Sequence, residues 1–159
     1  MPFADDLLEQ AYHLAHREPT NPKQASLRRA VSTAYYALFD LLIDEAIGNW
    51  SIARQRGTLA RAFDHGKMKS ICGDTVKQFY NDGQPQYRLQ LKNMADAFIQ
   101  LQAQRHRADY DISFEWEPTD VVGWLNLATE AFADWRAIRD QEAAQDYLLS
   151  LFLPKLPRQ

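Results

Sequence analysis

The chain contains one cysteine, Cys72, so it can form no internal disulfide. A lone thiol fits a reducing compartment. Only six glycines are present, few for a β protein, and they never cluster into a loop that could cradle phosphate. No apolar run approaches about 18 residues, and no charged-then-apolar segment opens the chain. The expected setting is therefore cytoplasmic, in solution and away from membranes. A basic excess is missing as well. The formal net charge of −3 argues against broad non-specific affinity for nucleic acid, though not against a local basic site. The four histidines are scattered, and His13 and His16 lack a nearby carboxylate pair on their face. No metal site and no cofactor is expected. Cys72 has neither a helix start nor a basic neighbourhood to make it a nucleophile. Strand-like alternation, internal repeats and low-complexity stretches are all absent.

What the sequence does have is helix. Ala, Leu, Gln, Arg and Glu are plentiful among its 159 residues, and all favour that conformation. This length fits one domain, expected over residues 1–153, with a frayed tail at 154–159. A first helix is expected from near Asp5, carrying Leu7, Leu8, Ala11, Tyr12, Leu14 and Ala15, and ending before Pro19. Thr20-Asn21-Pro22 supplies a cap residue and a proline for the next helix start. The stripe Leu27, Ala30, Val31, Ala34, Tyr35, Leu38, Leu41 and Leu42 then runs to about Ile47, with Gly48 as the stop.

The pattern weakens between Ser51 and Gly83. Leu59, Ala60, Ala62 and Phe63 suggest a short helix interrupted by Asp64-His65-Gly66, and Lys67 to Tyr80 suggests a broken turn or two. Asn81-Asp82-Gly83-Gln84-Pro85 reads as a turn. A long helix follows from Pro85 to about Tyr110. Glu117-Pro118-Thr119 opens another, striped by Val121, Leu125, Ala128, Phe132 and Trp135. A short last helix carries Tyr147, Leu148, Leu151 and Phe152. The pattern predicts an all-α, up-and-down bundle of five or six helices.

One stretch breaks this pattern. Leu91, Met94, Ala95, Phe98 and Leu101 form an apolar stripe whose next steps are Arg105 and Ala108, so a guanidinium falls where core is due. A charge there is costly unless it is paired or functional. Asp109, one turn on, can pair with it, and His106 and Tyr110 share that spacing on an adjoining face. Arg28, Arg29, Ser32 and Tyr36 offer a facing wall from the second helix. Each feature also has a plainer reading. Arg105–Asp109 reads equally as an ion pair that only fixes helix register, and Arg28 and Arg29 as part of a solvated face. Asp64 to Lys69 is either a basic loop able to reach phosphate or a polar turn.

Two segments, Leu27-Arg28-Arg29-Ala30-Val31-Ser32-Thr33-Ala34-Tyr35-Tyr36-Ala37-Leu38-Phe39 and Arg105-His106-Arg107-Ala108-Asp109-Tyr110-Asp111, carry a resemblance to the HEPN superfamily of small helical prokaryotic proteins. The likeness is closest to a branch with an Arg-x-x-Ala-Asp-Tyr signature, and Asp64-His65-Gly66-Lys67-Met68 is similar to it too. The resemblance implies a helical bundle that forms homodimers and works on RNA or nucleotides. It also implies one half of a toxin–antitoxin or defence pair whose other half is a small nucleotidyltransferase. Many members are metal-independent endoribonucleases that use an arginine followed, after four to six residues, by a histidine. The cation holds phosphate as charge builds, and a second group moves the 2′-hydroxyl proton.

Here Tyr110 stands where that histidine is expected. A phenol with an ordinary pKa of about 10 is a poor base at neutral pH. His106 lies about 100° around the helix from Arg105. The residues that carry over are thus Arg105 to hold phosphate, Asp109 to orient it, and Tyr110 and His106 beside them, with binding favoured over cleavage. The alternative is a non-catalytic helical module for dimerisation or partner binding.

Overall fold

The computed structural model describes residues 2–48, 50–80 and 85–153. Among these the chain is helical, with seven helices: α1 (Pro2–Ala15), α2 (Gln24–Ile47), α3 (Ala53–Ala60), α4 (His65–Gln78), α5 (Gln86–Tyr110), α6 (Pro118–Ile138) and α7 (Glu142–Phe152). The all-α expectation holds, but the count of five or six is too low. None of the described helices is long and apolar enough to cross a membrane.

The extra helix comes from the weakly patterned middle. Asp64-His65-Gly66 does not interrupt a helix but starts one. Asp64 is extended, and its carboxylate accepts from the Lys67 backbone N–H at 2.8 Å, the ordinary geometry of an N-cap. α4 then continues unbroken, burying Met68, Ile71, Cys72 and Thr75. α3 ends before Arg61 and buries no residue, so it leaves almost no apolar signature to read. The expected Asn81–Gln84 turn and the 154–159 tail lie outside the described residues.

α2 forms the centre of the bundle. It packs against α1, α5 and α6, with smaller contacts to α3 and α7, while α4 packs on α5. Its stripe from Leu27 to Leu42 is buried as expected, alongside Met94, Phe98 and Leu101 of α5 and Leu125, Phe132 and Trp135 of α6. Small residues (Ala30, Ala34 and Ala37) bring neighbouring backbones close to α2. α1 begins at Pro2 rather than near Asp5, and Ala4 packs fully into the core. The α1–α6 contact is tied by Arg136, which donates to both carboxylate oxygens of Asp5 at 2.9 and 2.7 Å.

The start of α2 differs from the sequence reading. Pro22 is not its first helical residue. Asn21 instead adopts a left-handed turn with φ 52°, which asparagine tolerates better than most residues. Neither Thr20 nor Lys23 caps the helix with its side chain. Glu18 does that work from upstream, its carboxylate accepting from the Lys23 N–H at 3.2 Å and the Ser26 hydroxyl at 2.8 Å. At the other end Gly48 keeps right-handed helical geometry, so no left-handed glycine cap ends the helix.

The connection from α5 to α6 is held from α2. Gln24 donates its amide N–H to the Trp116 carbonyl at 2.9 Å and accepts from the Trp116 N–H at 2.8 Å. One turn along, Arg28 donates to the carbonyls of Ala108 (2.9 Å), Asp111 (2.9 Å) and Phe114 (2.7 Å). Ala108 and Asp111 end α5, where carbonyls lack helical partners and a cation is favoured.

Candidate functional site around Arg105

The misplaced guanidinium of the α5 stripe lies inside the bundle, facing α2. The Arg105 side chain is 13% exposed and that of Asp109 32%. Their closest approach, Nη1 to Oδ2, is 3.6 Å, an ion pair too long to be a hydrogen bond. Asp109 is engaged elsewhere, since its other oxygen accepts from the Ser32 hydroxyl at 2.5 Å. The guanidinium is flanked by aromatic faces, its central carbon 5.2 Å from the centre of the Tyr35 ring and 5.8 Å from that of Tyr36. This is a cation–π arrangement, and Arg105 also bears on the Tyr35 phenol through a side-chain hydrogen bond. Arg105 Nε is buried with no hydrogen-bond partner among the described residues. A largely buried cation with an unpartnered Nε–H calls for an explanation.

Behind the arginine, Tyr35 is fully buried, with its hydroxyl 2.6 Å from His65 Nδ1 at the start of α4. The imidazole stacks on Phe39 at 4.3 Å, and the Gln102 amide donates to the His65 carbonyl at 3.2 Å. Burial pushes the Tyr35 phenol above its ordinary value, against the opposing pull of the Arg105 charge. Burial, then the Arg105 charge, pushes His65 below its ordinary value, opposed by Asp64. Phenol and imidazole are thus both neutral at pH 7. Hydroxyl and Nδ1 share one hydrogen bond, and which of them donates is set by the imidazole tautomer.

The structure therefore brings together Arg105, Asp109, Ser32 and Tyr36 from the sequence reading. It separates the others. Arg28 is committed to three carbonyls, and Arg29 is exposed. His106 and Tyr110 pack against each other, ring centres 4.8 Å apart, on the exposed side of α5. Tyr110 is 67% exposed. Three site residues were missed. Tyr35 reads as core because it lies on the stripe, and Gln102 looks like any polar helix residue. His65 was hidden by taking its segment for a turn, although Asp64 is itself a residue type preferred at an N-cap.

Cys72 is not a nucleophile. It is fully buried, its sulfur 3.2 Å from the Tyr147 hydroxyl, and burial pushes its thiol up to about 12. Among the described residues no three His, Cys, Asp or Glu side chains gather in a way that could hold a metal ion. The cluster can offer an anion one guanidinium and neutral hydrogen-bond donors. No protein-family model matches the chain, and no curated protein or solved structure matches it either, so the site's own chemistry is what bears on function.

Proposed function

We propose that this protein is a HEPN-like domain that binds RNA, with Arg105 receiving a backbone phosphate. The observation that carries this reading is the loosely paired, largely buried guanidinium, 3.6 Å from a carboxylate that a serine already occupies. Asp109 and the two tyrosine rings orient Arg105 and leave its Nε–H without a partner, and arginine recognises phosphate through its planar fork. Tyr36 at the edge of the site and the exposed His106–Tyr110 pair supply rings for contact with ribose or base. The binding form is a homodimer. Its physiological partner is a small nucleotidyltransferase in a toxin–antitoxin or defence pair, as the HEPN likeness implies. Binding rather than cleavage is the proposed activity, because the phenol at 110 is exposed, a poor base, and packed on His106.

The test is fluorescence anisotropy with a labelled single-stranded RNA in chelator, comparing the native protein with Arg105→Ala and Arg105→Lys. A free nucleoside monophosphate serves as competitor, and a gel reports any cleavage. RNA binding that falls about tenfold or more in Arg105→Ala supports the reading. Cleavage that this variant abolishes would extend it to a nuclease.

A second reading has its own support. The 2.5 Å Ser32–Asp109 hydrogen bond joins α2 to α5, so the cluster also suits a register pin in a non-catalytic partner-binding module. On that account Arg105→Ala lowers the melting temperature sharply and no RNA binds.

A further inference from the structure

A recess lies on the other side of α5 from the Arg105 cluster, between that helix and α6. It has a volume of about 500 Å³ and includes Phe114, Trp116 and Trp124 with Gln104, Arg107 and Asp120 in its lining. That size falls within the usual range for small-molecule sites. We propose that this groove takes an unpaired nucleobase, stacked against its aromatic wall. The proposal rests on the RNA reading above and names the form of RNA bound: single-stranded, with one base turned into the groove.

The aromatic wall is fixed in place. Arg28 holds the Phe114 carbonyl and Gln24 clamps both backbone polar groups of Trp116. Phe114 and Trp116 meet edge to face at 4.9 Å. Trp116 is 2% exposed, and its indole Nε1 has no hydrogen-bond partner among the described residues. The Arg107 guanidinium lies over the Phe114 ring at 4.6 Å, forming a planar cation-and-ring surface of the kind on which bases stack.

The polar rim matches a base edge. The side chains of Gln104, Arg107 and Asp120 form no hydrogen bond with another described residue. Between them they offer donors and acceptors together, as the edge of a nucleobase requires. A purely apolar ligand would leave all three without a partner.

Gly123 of α6 borders the groove. A Cβ added there would meet nothing within 4 Å, so a bulky side chain at this position can enter the groove without displacing a neighbour. The groove and the Arg105 cluster flank the same end of α5. At about 100° per residue, His106 and Tyr110 fall between the Arg105 and Arg107 faces of α5. A single strand passing around this end of the helix would meet a cation, a ring pair, then a second cation.

The test titrates adenosine, with ribose 5-phosphate as the base-free control, and reads tryptophan fluorescence of the native protein, Gly123→Phe and Arg107→Ala. Circular dichroism melts confirm that each variant folds. The expected result is saturable quenching by adenosine and none by ribose 5-phosphate. Affinity should fall about tenfold in Gly123→Phe and severalfold in Arg107→Ala. Absence of saturable quenching overturns the proposal, as does quenching unchanged in both groove variants. A dimer that Gly123→Phe dissociates, without any nucleoside response, assigns the groove to a second copy and overturns it too. Adenosine binding that persists while RNA binding fails leaves the groove assignment standing and removes the RNA reading.

Discussion

Asp40 lies one turn from Asp44 on α2. Burial, and then the Asp44 charge, push its carboxyl up from 3.8 to about 6. The folded protein therefore binds more protons than the unfolded chain between about pH 4 and pH 6, and stability falls as pH rises through that window. At neutral pH the ionised Asp40 is a cost on the order of 1 kcal/mol once solvent screening of a half-exposed group is allowed for. Asp40→Asn should match the native protein near pH 4 and melt higher at pH 8. Thermal melts at both values check this, and a variant that melts lower at pH 8 would show the carboxylate to be favourably paired. At this scale the sequence was informative about Arg105, because charge on an apolar stripe is visible without coordinates. It was uninformative about Tyr35 and His65. Their 2.6 Å contact joins residues from α2 and α4, and no spacing within one segment encodes it.

Two helix boundaries carry the next expectations. Asp64 caps α4 through the Lys67 N–H, and α4 holds His65 against Tyr35. Asp64→Ala should cost about 1 kcal/mol, the usual value for a lost N-cap. Denaturant unfolding measures it, and Asp64→Asn should recover most of the loss. Arg28 donates to three carbonyls around the end of α5, and hydrogen bonds to charged groups are worth more than neutral ones. Arg28→Ala should destabilise the protein by about 2 kcal/mol, read by the same method, and increase amide exchange from residues 111 to 116. Loss of RNA affinity with stability intact would instead return Arg28 to the binding wall. The long helices were legible because their apolar stripes recur over many turns, as in α2, α5 and α6. α3 and α4 were not. α3 buries nothing, and α4 opens with a histidine and a glycine that read locally as a turn. The connection clamp was equally invisible, since Gln24 and Arg28 act on residues about 80 to 90 positions away.

For the molecule as a whole, composition already pointed to an all-helical bundle, and the structure adds the arrangement around α2 that places Arg105 against two tyrosines. The net charge of −3 makes binding a local matter of a few cations, so its salt dependence should be shallow compared with that of a basic nucleic-acid-binding surface. The central claim is that Arg105 is kept in the bundle to meet a phosphate rather than to hold α5 in register. The most direct measurement pairs RNA affinity with melting temperature for the native protein, Arg105→Lys and Arg105→Ala. The account predicts that Arg105→Ala loses about tenfold or more in affinity while its melting temperature moves by only a few degrees, with Arg105→Lys between it and the native protein. A melting temperature that collapses in Arg105→Ala, together with RNA affinity that is absent or the same in all three proteins, would contradict it.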